Sequence, residues 1–291
     1  MTDHFGRVAI VGTGLLGASV GLGLKRRGAV GEVIGIGRTQ TTLDEAKRVG
    51  AIDRGTDDYA ALAECDLAVV AVPLGAFDAV FAAMAGHAND GLVITDVGST
   101  KRLVGQAARK HLPDPRRCVG SHPMAGKATA GPADADADLF VGKPCVICAA
   151  EHDDPAAIAA VESLWQTLGS NLIRMTPERH DAAVAATSHL PHAAAVALVA
   201  AAQRLGPDGW QVASTGFAST TRLASSNPPM RADIMTANAD HLDAALAIYI
   251  EELQAIRTAL RPDKRDDLLN QLSASMNTRD TWLDTKPSPK P

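Results

Sequence analysis

Arg7-Val8-Ala9-Ile10-Val11-Gly12-Thr13-Gly14-Leu15-Leu16-Gly17 decides the fold of this 291-residue chain. A short β-branched run enters a turn of the form Gly-x-Gly-x-x-Gly, and a helical apolar pattern follows it directly. Strand, glycine turn and helix in that order form the phosphate-binding fingerprint of a doubly wound α/β sheet. Gly12 permits the tight turn, Gly14 lets a pyrophosphate approach the backbone, and Gly17 lets the helix pack closely on the strand. The expected dinucleotide cradle is thus Gly12 to Gly17, with Thr13, Leu15 and Leu16 between the glycines. A glycine-rich turn without a ligand is the alternative, and the flanking strand and helix argue against it.

Outward from this turn, short apolar runs alternate with helical patterns for about 175 residues, the sign of βαβ units and a mostly parallel sheet. Strands are expected near Val8 to Val11, Val33 to Ile36, Leu67 to Val72, Val93 to Asp96, Arg117 to Gly120, Cys145 to Ala149 and Asn171 to Met175. Asp154-Pro155, then Ala156 to Leu168, then Gly169, has the order of cap, first-turn proline, helix and closing glycine. Gly131 to Asp138, with its repeated Ala-Asp, reads as a mobile loop. After Met175 helical periodicity takes over, over Pro177 to Leu205, Ala232 to Leu260 and Pro262 to Trp282. The expected architecture is therefore a Rossmann-type α/β domain over residues 1–176, an all-helical domain over 177–283, and a disordered tail over 284–291. The small residues of Ala182 to Ala202 would let another helix approach closely, from the same chain or from a second subunit.

Composition narrows the function classes. Hydrophobic residues at 46% and charged residues at 21% are ordinary for a globular protein, while 3% aromatic residues leave few rings to stack on bases. A net charge of −5 without a Lys/Arg run argues against a nucleic-acid backbone as partner. No secretory pattern opens the chain, so a cytoplasmic location is expected. Ala193 to Ala202, ten residues, falls short of the roughly twenty that cross a bilayer, and no membrane span is expected. Cys145-x-x-Cys148 resembles a redox or zinc pair, but it lies in a strand-like run where residues three apart face opposite ways, so no metal is expected.

Cofactor choice is read from the end of the second strand, Gly35-Ile36-Gly37-Arg38-Thr39-Gln40. NAD-binding folds place an acid there for the ribose hydroxyls; this chain has none, and Arg38, followed by Thr39, suits a 2′-phosphate. NADP is favoured and NAD remains possible. Val72 and Pro73 end the fourth strand, facing the crevice where open parallel sheets bind ligands.

Four further segments carry candidate chemistry. Asp96-Val97-Gly98-Ser99-Thr100-Lys101 leads out of the fifth strand; Ser99 is either a helix N-cap or a substrate contact, and Lys101 either neutralises an anionic substrate or, as the favoured reading, pairs with Asp96. Gly120-Ser121-His122-Pro123-Met124-Ala125-Gly126 holds a histidine in a short rigid loop after the next strand. An imidazole titrates near pH 6.5, so His122 is a candidate general base, with a solvated loop histidine as the bland alternative. In Ser188-His189-Leu190-Pro191-His192 the two histidines could share a helix face, but no third metal ligand stands nearby. Arg222, among small polar residues from Thr215 to Leu223, suits a carboxylate, or else a surface salt bridge.

Taken together, the glycine fingerprint, Asp96-Val97-Gly98-Ser99-x-Lys101, His122-Pro123-Met124-Ala125-Gly126, Ser188-His189-Leu190-Pro191-His192, and Gly216-Phe217 followed by Thr221-Arg222 resemble the prephenate and arogenate dehydrogenases of tyrosine biosynthesis, in register over nearly the whole chain. The resemblance implies a Rossmann domain followed by a helical dimerisation domain, a homodimer, and oxidative decarboxylation of a 4-hydroxycyclohexadiene. It further implies that His122 takes the proton of the ring hydroxyl, that Ser99 orients both groups, and that His189 and Arg222 hold substrate carboxylates. Two departures bear on the substrate. Lys127-Ala128-Thr129 stands where many relatives have an acid that would suit the ammonium of arogenate, which favours prephenate, and Arg231 stands where many have an aromatic ring. Lys127 and Arg231 therefore join the expected substrate contacts. The rival readings are an arogenate or dual-specificity dehydrogenase, a β-hydroxyacid dehydrogenase, whose connecting-helix lysine is missing here, and a dinucleotide-sensing regulator, for which no basic recognition helix is visible.

Overall fold

The computed structural model describes residues 4–127 and 129–285. Eight strands form one sheet in the order β3-β2-β1-β4-β5-β6-β7-β8. They are β1 Phe5–Val11, β2 Val30–Ile36, β3 Arg54–Thr56, β4 Leu67–Val70, β5 Val93–Asp96, β6 Cys118–Pro123, β7 Pro144–Cys148 and β8 Asn171–Met175. Alternate residues of β1 supply opposite cores: Val8 and Ile10 join a cluster with Leu24, Phe140 and Trp165, while Ala9 and Val11 join Phe77, Phe81 and Met84. Helices bury both faces, which is why the strands read as continuous apolar runs. The few aromatic rings are central, with Phe77–Phe81 and Phe140–Trp165 packed edge to face at 5.6 and 5.2 Å.

Strands β1 to β6 pair in parallel, so their carboxyl ends share one edge. Chain order reverses between β1 and β4, the switch point at which such sheets open a crevice. The three-residue strand β3 has no apolar run and gave no sequence signal. Strand β6 departs from expectation at its far end. It pairs with β5 through Cys118 and Val119, then continues to Pro123 because β7 takes up an antiparallel ladder from Gly120 to Pro123. His122 therefore lies within a strand, opposite Val146, and not in the loop anticipated for it.

The segment Gly131 to Asp138 is tied down where mobility was expected. Arg27 donates to the Ala137 carbonyl and the Asp138 carboxylate, Arg26 pairs with Asp138, and Ser19 Oγ accepts from the Asp136 amide. The alternating aspartates gain cations in space that the local sequence does not reveal.

The helical part begins with one continuous 29-residue helix, Pro177–Leu205, containing a π turn at Ala185–His189. By length and composition it would suffice to cross a membrane, although Ala193 to Ala202 alone would not. The periodicity expected to run from Ala232 to Leu260 breaks into helices Pro228–Ala237 and Ala239–Ala259, because the Asn238 side chain is buried and committed to hydrogen bonds. Helix Arg265–Asp284 follows. The chain forms two compact units, one through Ala239 and one from Asp240. The expected tail begins within the described chain at Asp284 and Thr285, which end that helix, and its remainder, Lys286–Pro291, lies outside the described residues.

Candidate active site

At the carboxyl end of β1 the three glycines divide the work. Gly12 has φ +94°, and a Cβ there would stand 2.5 Å from the Ala71 carbonyl oxygen; one on Gly17 would stand 2.1 Å from that of Gly12. Neither position tolerates a side chain. A Cβ on Gly14 would meet nothing within 4 Å. Gly14 also caps the twelve-residue helix Leu15–Arg26, whose first turn has neither a capping side chain nor an acid. Unpaired amides at a helix start, facing open space, fit the pyrophosphate of a dinucleotide. Thr13 is buried, and Leu15 and Leu16 pack on the core beneath the turn. Val72 touches the turn, its Cγ1 lying 3.0 Å from the Cβ position of Gly12, and Pro73 beside it is exposed. Arg38, past the end of β2, is exposed and pairs with no carboxylate among the described residues, and Thr39 starts helix Gln40–Arg48 without a side-chain cap.

Further along the same edge, strand β6 is pinned from below. Ser121 Oγ donates to the Asp96 carbonyl and accepts from Trp165 Nε1 at 2.9 Å. Lys101 Nζ pairs with Asp96 and donates to the Ser121 carbonyl, all within the core. This is the structural role expected for Lys101. A buried pair of this kind holds only while both partners remain.

His122 Nδ1 lies 2.8 Å from His180 Nε2, and His180 Nδ1 lies 2.7 Å from Asp181 Oδ1. His180 and Asp181 are fully buried at the start of helix Pro177–Leu205. Burial first, and then the charge of Lys101, hold the His122 imidazole well below its ordinary pKa, so it is neutral. Burial pushes the Asp181 carboxyl up, but hydrogen bonds from His180 and from the Arg102 and Lys101 amides outweigh it, and the group stays ionised. Those two amides also change the reading of Ser99. Helix Arg102–His111 starts later than expected and is capped across space by Asp181, at 2.8 Å from Lys101 N and 3.0 Å from Arg102 N. Ser99 is half-buried in the bend before it and does not cap the helix.

His189 ends the π turn, buried, with Nδ1 3.2 Å from Asn238 Nδ2. That amide also donates to the Asp181 carbonyl, and its oxygen accepts from Arg102, so its orientation is fixed by three contacts. A donor facing His189 Nδ1 leaves the ring hydrogen on Nε2. Burial lowers this imidazole to about 4, and the charge of Arg231 adds to the shift. His192 turns away and donates to the Leu223 carbonyl at 3.2 Å, so the two histidines do not share a ligand; no metal-binding cluster occurs among the described residues. Arg222 is exposed and has no salt bridge among the described residues. Arg231 is half-buried, and its Nε lacks a hydrogen-bond partner. Both arginines, Arg231 more than Arg222, add to the lowering that burial imposes on His192. Lys127 is directed elsewhere, to the Asp134 carbonyl at 3.0 Å and the Asp136 carboxylate at 3.4 Å.

Sequence reading missed His180, Asp181 and Asn238. Neighbours in a helix ordinarily diverge, so His180-Asp181 reads as a polar first turn. A faint signal was present, because a His-Asp pair opening an otherwise alanine-rich apolar helix has no solvated face to serve.

An open glycine turn and a half-buried neutral histidine on one sheet edge define a dinucleotide-dependent oxidoreductase. Family models agree: that of the prephenate dehydrogenase nucleotide-binding domain matches residues 20–174, and that of the prephenate dehydrogenase dimerization domain matches residues 176–274. A cyclohexadienyl dehydrogenase of Zymomonas mobilis is 33% identical, covering 94% of this chain and 95% of its own length. A prephenate dehydrogenase of Bacillus subtilis is 30% identical over 94% of this chain and 75% of its own length. Among solved structures, the A. aeolicus prephenate dehydrogenase in complex with hydroxyphenyl propionate and NAD+ superposes with a TM-score of 0.90 at 26% identity, covering 97% of this chain and all of the other. Synechocystis arogenate dehydrogenase gives 0.85 at 29% identity, over 95% and 99%. The chain belongs to the prephenate dehydrogenase family.

Proposed function

We propose that this protein converts prephenate to 4-hydroxyphenylpyruvate and CO2, with NADP preferred and NAD accepted. The observation that carries the reading is the pairing of the open cradle at Gly14 with neutral His122 on the same sheet edge. The nicotinamide, when bound, supplies the hydride acceptor for C4 of the ring. His122 takes the proton of the 4-hydroxyl as the carbonyl forms, Ser99 orients that hydroxyl, and the ring carboxylate leaves as CO2 when the ring becomes aromatic. His189, donating through Nε2, and the arginines Arg222 and Arg231 hold the carboxylates. The unpartnered Nε of Arg231 supports a carboxylate as its ligand, and two free guanidiniums favour the keto acid over the zwitterionic arogenate. Lys127 acts from a distance, by holding the Asp134 to Asp136 turn. Arg38 supports NADP because it stands free where an acid would repel the 2′-phosphate.

Arogenate is the second reading, favoured by the likeness to the Synechocystis enzyme. Assaying both substrates with both cofactors separates them. The highest kcat/KM is expected for prephenate with NADP; faster turnover of arogenate would replace the first reading with the second, and no reduction of either cofactor would remove both. A cytoplasmic homodimer is part of the proposal, supported by the dimerization-domain match and by exposed apolar residues on the helices, among them Val196, Leu198, Ile248 and Ile256. Light scattering at the mass of one chain would sink that part.

A further inference from the structure

We infer that His180 and Asp181 are positioning residues that fix which ring nitrogen of His122 is the base, an inference that rests on His122 taking the substrate proton. An ionised carboxylate only accepts hydrogen bonds. Asp181 already receives the amides of Lys101 and Arg102, and its Oδ1 lies 2.7 Å from His180 Nδ1, so that nitrogen must carry a hydrogen. In a neutral imidazole the other nitrogen is then a lone pair. His180 Nε2 presents that lone pair to His122 Nδ1 at 2.8 Å, and the contact is a hydrogen bond only if His122 Nδ1 donates. The hydrogen of His122 is thereby held on Nδ1, and Nε2 is left as the proton acceptor.

The opposite polarity would put a hydrogen on both nitrogens of His180, a fully buried ring. The Asp181 carboxylate that would have to offset that ring is already shared with two amides and the Arg102 side chain. The chain also has a purpose during turnover. When Nε2 takes the hydroxyl proton, His122 becomes a cation near Lys101, and Asp181 is the negative charge that offsets it through His180. Hydrogen-bonded orientation by a buried acid is the device by which a carboxylate sets the tautomer of a catalytic histidine. Here an extra imidazole extends its reach. The same Asp181 oxygens cap helix Arg102–His111, so the base is registered to the bend that carries Ser99.

Nitrogen-15 spectra of the full-length protein, labelled at histidine and assigned through His122→Asn, read the tautomer directly. A protonated Nδ1 and bare Nε2 on His122 at neutral pH is the expected result, and a proton on Nε2 overturns the inference. Kinetics supply the second measurement. His180→Leu breaks the chain and should lower kcat roughly 100-fold while leaving KM within about threefold. His180→Gln, which can still donate to Asp181 and accept from His122, should recover most of that loss. A His180→Leu protein that binds cofactor normally and keeps kcat within about twofold overturns the relay. If His122→Asn itself leaves kcat intact, the base assignment falls and takes the relay with it; if only His180→Leu is silent, the relay alone falls.

Discussion

The glycine turn and the histidine chain lie on one sheet edge and treat polar groups in opposite ways. Around Gly14 the protein leaves helix amides unpaired and a side-chain volume empty. Around His122 it links ring to ring to carboxylate by hydrogen bonds, and buries the last two members completely. A ligand must complete the first region, whereas the second is complete beforehand and must be prevented from adopting the wrong proton arrangement. Under the proposed function the first region binds and the second transfers a proton, and the two should respond differently to substitution.

The largest effect is expected on the saturated side. His122→Asn should lower kcat by roughly 100- to 10,000-fold with a small change in KM, as measured with saturating prephenate and NADP. An unchanged kcat would mean that the buried network is scaffolding only. On the empty side, Gly14→Val fills the cradle from a Cβ that meets no protein atom within 4 Å, so the fold should survive while cofactor affinity drops on the order of 10- to 100-fold, read by fluorescence titration. If Gly14→Val binds cofactor normally, the open space belongs to something else. Arg38→Ala should weaken NADP about tenfold and leave NAD nearly untouched; equal losses would place Arg38 on the adenine rather than the 2′-phosphate.

Smallest is a stability effect confined to the saturated side. His122 and His189 are folded as neutral rings with lowered pKa, His189 from 6.5 to about 4. Below 6.5 the unfolded chain takes protons that the fold refuses, so stability is full above that value and declines as pH falls toward 4. Melting temperature should drop by roughly a few degrees over that window, and less in His189→Gln. A flat profile would show that these rings are not held neutral.

The same contrast explains what the sequence revealed. Emptiness at a turn requires glycine in a fixed order, and the strand–turn–helix context gave the cradle, the parallel sheet and the switch point directly. His122 was visible as a histidine between glycines, but its place in a strand was not, because the partner that extends β6 is β7, more than twenty residues further on. Ser99 looked like a cap because its helix begins nearby, while the real cap, Asp181, is eighty residues away from Lys101. Local rules see local partners, and the saturated region is assembled from long-range ones. Lys127 shows the same limit: its aspartates lie in a segment that seemed too polar to hold a place.

The π turn at Ala185–His189 takes on a precise meaning in terms of helical phase. His180 and His189 are nine positions apart, and in an uninterrupted α-helix nine steps of about 100° would set them on opposite sides. A π turn absorbs one extra residue, which takes back about 100° and brings both rings to the side where Asn238 meets Asp181 and His189. Removing one alanine from Ala185-Ala186 would let the segment close as regular α-helix with eight steps between the two histidines, and so would keep their phase. Drawing the unshortened segment into regular α-helix would instead swing His189 to the far side from His180, a frame error inside a folded protein.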